Sequence, residues 1–129
     1  MNEQTVVTYL TASGARDALA FYETAFGAEQ HGEIYEEGDR IGHAEFRIGS
    51  TEFYISDECP ELGVKSPTTL GGTATAMSIA VDDVDAAWAR AMDAGASEDR
   101  PPQDQMGFRI GWLRDPFGHR WALTGPESG

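Results

Sequence analysis

Cys59 is the only cysteine of the chain and Lys65 its only lysine. A single thiol allows no intrachain disulfide, no CxxC redox pair and no cysteine-based zinc cage. Cys59 precedes Pro60 in a polar loop with no adjacent base, which reads as a surface or half-buried thiol and not as a nucleophile. Cations are scarce altogether: nine Lys and Arg, eight of them arginine, stand against 22 Asp and Glu, a net charge of −13. A nucleic-acid footprint or a docking face for anionic membranes needs the opposite sign. No window approaches the roughly 18–20 apolar residues of a spanning helix. The start, Met1-Asn2-Glu3-Gln4, has neither a basic n-region nor an apolar h-region, so the expected location is the cytoplasm. A G-x-S-x-G elbow is missing, and Gly71-Gly72 has no helix after it to make a phosphate loop.

What is present is ordinary globular material: 129 residues, 40% hydrophobic and 24% charged, enough for one domain with a real core. Thr5–Leu10 is a β-rich run, and Ser13-Gly14 offers a cap to an amphipathic helix with Ala15, Ala18, Leu19, Tyr22 and Phe26 on its apolar face, ended by Gly27. Strands follow at 29–36, 41–48 and 51–56, separated by turn residues. After a Pro- and Gly-containing loop the order restarts. Thr73–Val81 reads as a strand, Asp82-Asp83 as an N-cap, and Val84, Ala87, Trp88, Ala91 and Met92 as a helical face closed by Gly95. A softer strand at 98–103, interrupted by Pro101-Pro102, leads to a hairpin of Phe108–Arg114 and His119–Thr124 around the type I turn Asp115-Pro116-Phe117-Gly118.

The halves superpose by counting. A shift of 68 places Asp17-Ala18 on Asp85-Ala86 and Gly27-Ala28 on Gly95-Ala96; a shift of 69 places Arg40-Ile41-Gly42 on Arg109-Ile110-Gly111. This is an internal duplication, one α+β domain of two βαβββ modules at about 1–58 and 73–129, joined by loop 59–72. One helix cannot cover such a sheet, so the modules are expected to pair their sheets around a shared concavity.

The motifs Leu19-Ala20-Phe21-Tyr22, Ala25-Phe26-Gly27-Ala28, Gly42-His43-Ala44-Glu45, Ile55-Ser56-Asp57-Glu58, Lys65-Ser66-Pro67, Leu70-Gly71-Gly72, Val81-Asp82-Asp83-Val84-Asp85-Ala86 and Leu113-Arg114-Asp115-Pro116-Phe117-Gly118-His119-Arg120-Trp121 occur in an order that resembles the glyoxalase/bleomycin-resistance, or vicinal oxygen chelate, superfamily, and within it the PhnB-like branch. The resemblance implies a half-open barrel of two βαβββ modules, usually in a homodimer. It implies either metal-dependent isomerases, lyases and dioxygenases or metal-free proteins that sequester antibiotics, and the fold alone does not choose. In the enzymes the metal positions lie on the first and last strands of each module. Carried onto this chain they fall on Thr8, on Ala76 as its counterpart by the shift of 68, on Ala122, and on Phe53 or Tyr54. None is an ordinary divalent-metal ligand.

The expected function is therefore metal-free binding of a small organic ligand, aromatic or cationic, with antibiotic or secondary-metabolite sequestration as the concrete version and no cofactor. The expected ligand-binding set is Thr8, His43, Glu45, Tyr54, Ala76, Ser78, Phe108, Trp112 and Ala122: small residues between aromatic walls. The alternative is a lyase, isomerase or dioxygenase using a non-standard divalent metal or acid/base site around His43 and Glu45, which alternate on one strand and share a face. His43 has Trp112 as its counterpart by the shift of 69. His31 reads as a surface residue and His119 as structural.

Overall fold

In the computed structural model, which describes residues 3–128, the chain runs β1 (Thr8–Ala12), α1 (Ala15–Phe26), β2 (Glu29–Glu37), β3 (Arg40–Ile48), β4 (Thr51–Asp57), a 3₁₀ turn at Pro60–Leu62, a one-turn α2 (Pro67–Leu70), β5 (Ala76–Ala80), α3 (Val84–Ala94), β6 (Ser97–Gln105), β7 (Phe108–Arg114) and β8 (Arg120–Pro126). The strands form two four-stranded mixed sheets of identical topology, β1-β4-β3-β2 and β5-β8-β7-β6. In each, the first strand pairs in parallel with the last and the rest are antiparallel. This is the tandem βαβββ architecture expected from the duplication.

Gly14 holds the N-cap position of α1, as the sequence suggests, but the cap bond does not come from a Ser13 or Gly14 side chain. Gly14 sits in the left-handed region with no side-chain cap, and the carboxylate of Asp57, at the far end of β4, accepts from the Gly14 and Ala15 amides at 2.9 and 2.7 Å and from Ile41 N at 2.7 Å. One carboxylate thus ties a helix start to two strands. In the second module Asp83 does cap its own helix, accepting from Ala86 N at 3.1 Å. β6 runs straight through Pro101-Pro102, because it is an edge strand and its ladder slips between Arg100 and Gln103, where missing amides cost little.

The core lies between the sheets. Leu10, Phe46, Phe53 and Ile55 of the first sheet and Leu113, Trp121 and Leu123 of the second are buried against Phe21 and Tyr22 of α1 and Val84 and Ala91 of α3. Tyr22 stacks on Phe46 at 5.3 Å and meets Trp121 at 5.4 Å, and Phe26 meets Trp121 at 4.8 Å. The two helices therefore join the modules, and the sheets do not close into a barrel within one chain. The polar centre of that junction is Asp115. Its carboxylate accepts from Tyr22 Oη at 2.5 Å, Trp121 Nε1 at 2.9 Å, Phe117 N at 2.9 Å and His119 N at 3.0 Å. His119 is buried, and its Nε2 bonds the Thr11 carbonyl oxygen at 2.9 Å, a second link from module to module.

Candidate functional site

Alternation along each strand gives the sheets one face toward the helices and one open face. On the first sheet the pairing places Tyr9, Tyr54, Glu45 and His31 in a single row across all four strands. Tyr35 pairs with His43 one step along on the same face. The rings of Tyr9, His43 and Tyr54 pack edge to face, with centroids 5.5 Å (Tyr9–His43), 5.6 Å (Tyr9–Tyr54) and 5.0 Å (His43–Tyr54) apart. Tyr9 Oη lies 2.7 Å from His43 Nδ1, and His43 Nε2 lies 3.1 Å from Glu45 Oε2. A carboxylate only accepts, so the imidazole donates from Nε2 and takes the tyrosine hydrogen at Nδ1. Partial burial raises the Tyr9 phenol above its ordinary value, offset in part by Ser56, which keeps Tyr9 a hydrogen-bond donor at neutral pH.

Beside this cluster, Tyr9, Thr11, Arg40, Ile41, Ser56, Leu62 and Val64 line a cleft of about 440 Å³ that also receives Glu37, Asp57, Glu58 and Cys59. Desolvation, then the neighbouring Glu61, raises the Cys59 thiol, and Arg40 offsets only part, so Cys59 is not a reactive thiolate. His31 is not the free surface residue its sequence setting implied. It is half-buried, and its Nε2 contacts the Glu52 carboxylate on β4, because β4 brings an acid to the same open face.

The second sheet repeats the row as Ser78, Ala122, Trp112 and Arg100. Arg100 and Arg120 place their guanidinium groups 5.1 and 5.0 Å from the Trp112 ring centre. Trp112 therefore holds the place of Glu45 in the row, and not that of His43. Ala76 and Phe108 are exposed on this same face. Thr8 is not on an open face. It alternates with Tyr9, pairs with Phe53, and lines a groove of about 690 Å³ between the modules with Phe53, Met77, Ser78 and Trp121. Thr8 and Ala76 lie on opposite faces, so the shift of 68 does not hold for the first strands. The uncertain register resolves as Tyr9 opposite Tyr54, and the residue of β5 opposite Ala122 is Ser78.

Apart from Thr8, the expected site residues thus fall into two groups within one chain: His43, Glu45 and Tyr54, joined by Tyr9, on one open face, and Ala76, Ser78, Phe108, Trp112 and Ala122 on the other. The two sheets do not close into a barrel within the chain, and what lies between the modules is the groove lined by Thr8, Phe53, Met77, Ser78 and Trp121. Tyr9 and His31 were the residues whose place in the cluster the sequence hid, since both depend on which strands become neighbours.

Two βαβββ modules with open, rowed sheet faces define a class of paired-module α+β proteins. The model of the Glyoxalase/Bleomycin resistance protein/Dioxygenase superfamily matches residues 5–123, and the chain belongs to that family. Its sequence is similar to the uncharacterized protein Mb0911c of Mycobacterium bovis, 38% identical over 128 residues that cover 96% of this chain and 84% of that one. Its fold is similar to that of the PhnB protein from Bacillus cereus (TM-score 0.70, 22% identity, 94% of this chain and 98% of that one). It is also similar to that of the fosfomycin resistance protein FosX from Listeria monocytogenes (TM-score 0.72, 16% identity, 97% and 94%).

On the first and last strands of each module, where the family's enzymes hold their metal, the open faces here carry Tyr9, Tyr54, Ser78 and Ala122. Two phenols, one hydroxyl and a methyl do not make a donor set for a first-row divalent ion, which takes imidazole and carboxylate. The residues do not fit the family's metal.

Proposed function

We infer that the protein binds a small organic molecule on the open face of its first sheet, without a metal at the family's positions. The observation that carries this reading is the aromatic cluster Tyr9, His43 and Tyr54 standing beside a 440 Å³ cleft with an apolar wall of Ile41, Leu62 and Val64. Three rings edge to face give a flat ligand stacking surface, and the acids at the cleft favour a cationic one. Closure of the site falls to a second copy, whose Trp112 face would cover the cluster, in a homodimer. Capture of an antibiotic or secondary metabolite is the concrete version, and the FosX likeness supports the fold for such a role. The protein would act in the cytoplasm.

The test is a thermal-shift screen of EDTA-treated protein against aromatic and cationic compounds. A true ligand at 100 times its dissociation constant stabilises the fold by about 2.7 kcal/mol, and Tyr54→Ala is expected to weaken it at least tenfold. Failure of every compound, or binding unchanged in Tyr54→Ala, would overturn the reading. The hydrogen-bonded chain Tyr9–His43–Glu45 favours a second reading, acid/base catalysis on the bound molecule, with Glu45 orienting the imidazole and Tyr9 supplying a proton. Chemical conversion of the captured compound, lost in His43→Ala while binding remains, selects that reading.

A further inference from the structure

Three strands of the first sheet bring an imidazole and two carboxylates to one point. His31 on β2 stands opposite Glu45 on β3, and Glu52 on β4 reaches the same spot, so that one ligand atom from each lies within 4.8 Å of the others. The three side chains are half-buried, 29%, 34% and 29% exposed. His31 Nε2 serves Glu52, while Glu45 already accepts from His43 Nε2. Arg47, opposite Glu52 in the ladder, makes no ion pair among the described residues. Two carboxylates thus converge on one imidazole, and among the described residues neither is paired with a lysine or arginine.

We propose that His31, Glu45 and Glu52 form a binding site for one first-row divalent metal ion of the zinc or cobalt type. Bonds of 2.0–2.2 Å to nitrogen and oxygen place any two ligands of one ion within about 4.4 Å of each other, and the three ligand atoms here already lie within 4.8 Å of one another. One imidazole with two carboxylates suits a borderline ion and not Mg²⁺ or Ca²⁺, which take oxygen alone. Three ligands leave room for water, as in an open site. His43, bonded to Glu45, is the outer group that orients a ligand. The ligands stand on separate strands of one sheet, so their spacing is fixed before the ion arrives. This location differs from the family's metal positions. Only Glu52 shares a strand with one, two residues or roughly 6.6 Å from Tyr54 along β4.

The proposal does not depend on the ligand-capture reading, which is tested in EDTA. Chelator-stripped protein is titrated with Zn²⁺ by calorimetry and with Co²⁺ by visible absorption, with Mg²⁺ as competitor. One ion per chain is expected, with Co²⁺ ligand-field bands that Mg²⁺ does not displace. Glu52→Gln and His31→Ala are each expected to weaken binding at least tenfold, their far-ultraviolet circular dichroism and unfolding temperatures showing them folded. Binding with no saturation at one equivalent would overturn the proposal. So would an affinity unchanged in both variants, or one lost in Tyr9→Phe and Tyr54→Phe instead, which would put the ion at the family's positions.

Discussion

Asp115 and Asp57 show how single carboxylates do structural work in a chain rich in acid. Asp115 is buried and spends both oxygens on four donors, two of them the side chains of Tyr22 and Trp121. Asp115→Ala would strand those donors, and a loss of about 3–5 kcal/mol is expected in urea unfolding. Burial, then the Asp115 charge and hydrogen bond, pushes the Tyr22 phenol well above 10.0. The folded state therefore holds that proton more tightly than the unfolded chain. Its contribution is fully present below pH 10 and is lost as pH rises beyond it. Wild-type protein should weaken steeply in unfolding titrations above that pH, and Tyr22→Phe should flatten the decline while lowering stability at neutral pH.

At the scale of elements, close approach sets the tolerance of the strands. A Cβ on Gly125 of β8 would lie 2.4 Å from the Val81 carbonyl oxygen, where the chain leaves β5 for α3. Gly125→Ala is expected to cost about 1–3 kcal/mol by forcing β5 and β8 apart, measurable as a lowered denaturation midpoint. The elements themselves were legible in the sequence because each module writes its period clearly: Gly27 ends one helix, Gly95 the other, and the Asp115–Gly118 turn is a type I signature. Strand β7 coincides with its reading at 108–114. What stayed hidden was pairing. Nothing local shows that Asp57, 42 residues away, caps α1 at Ala15, nor that His31, Glu45 and Glu52 meet. Counting offsets failed by one residue at Thr8 because a one-residue slip turns a strand over, and only the ladder partner, Tyr54 for Tyr9, shows which face is open.

For the whole molecule, the duplication gives two similar sheets with unlike faces. The first bears tyrosines, histidines and glutamates; the second bears Trp112 between Arg100 and Arg120. In a chain of −13 with eight arginines, placing two of them on one aromatic is a local reversal of sign. The fold was legible at this scale too, but not that the helices join the modules, since the sequence marks their apolar sides without saying which module each one faces.

The Tyr22–Asp115 bond and the His119–Thr11 bond each cross from one module to the other. Separated halves would therefore leave a buried carboxylate and an aromatic helix face without partners, although each half has a sheet and a helix of its own. The repeat has become interdependent: a protease nick in the 59–72 connection should leave two pieces that co-elute and refold only when mixed, whereas either piece expressed alone should aggregate. The two repeats are therefore not interchangeable: the junction needs Tyr22 and Thr11 from one module and Asp115 and His119 from the other.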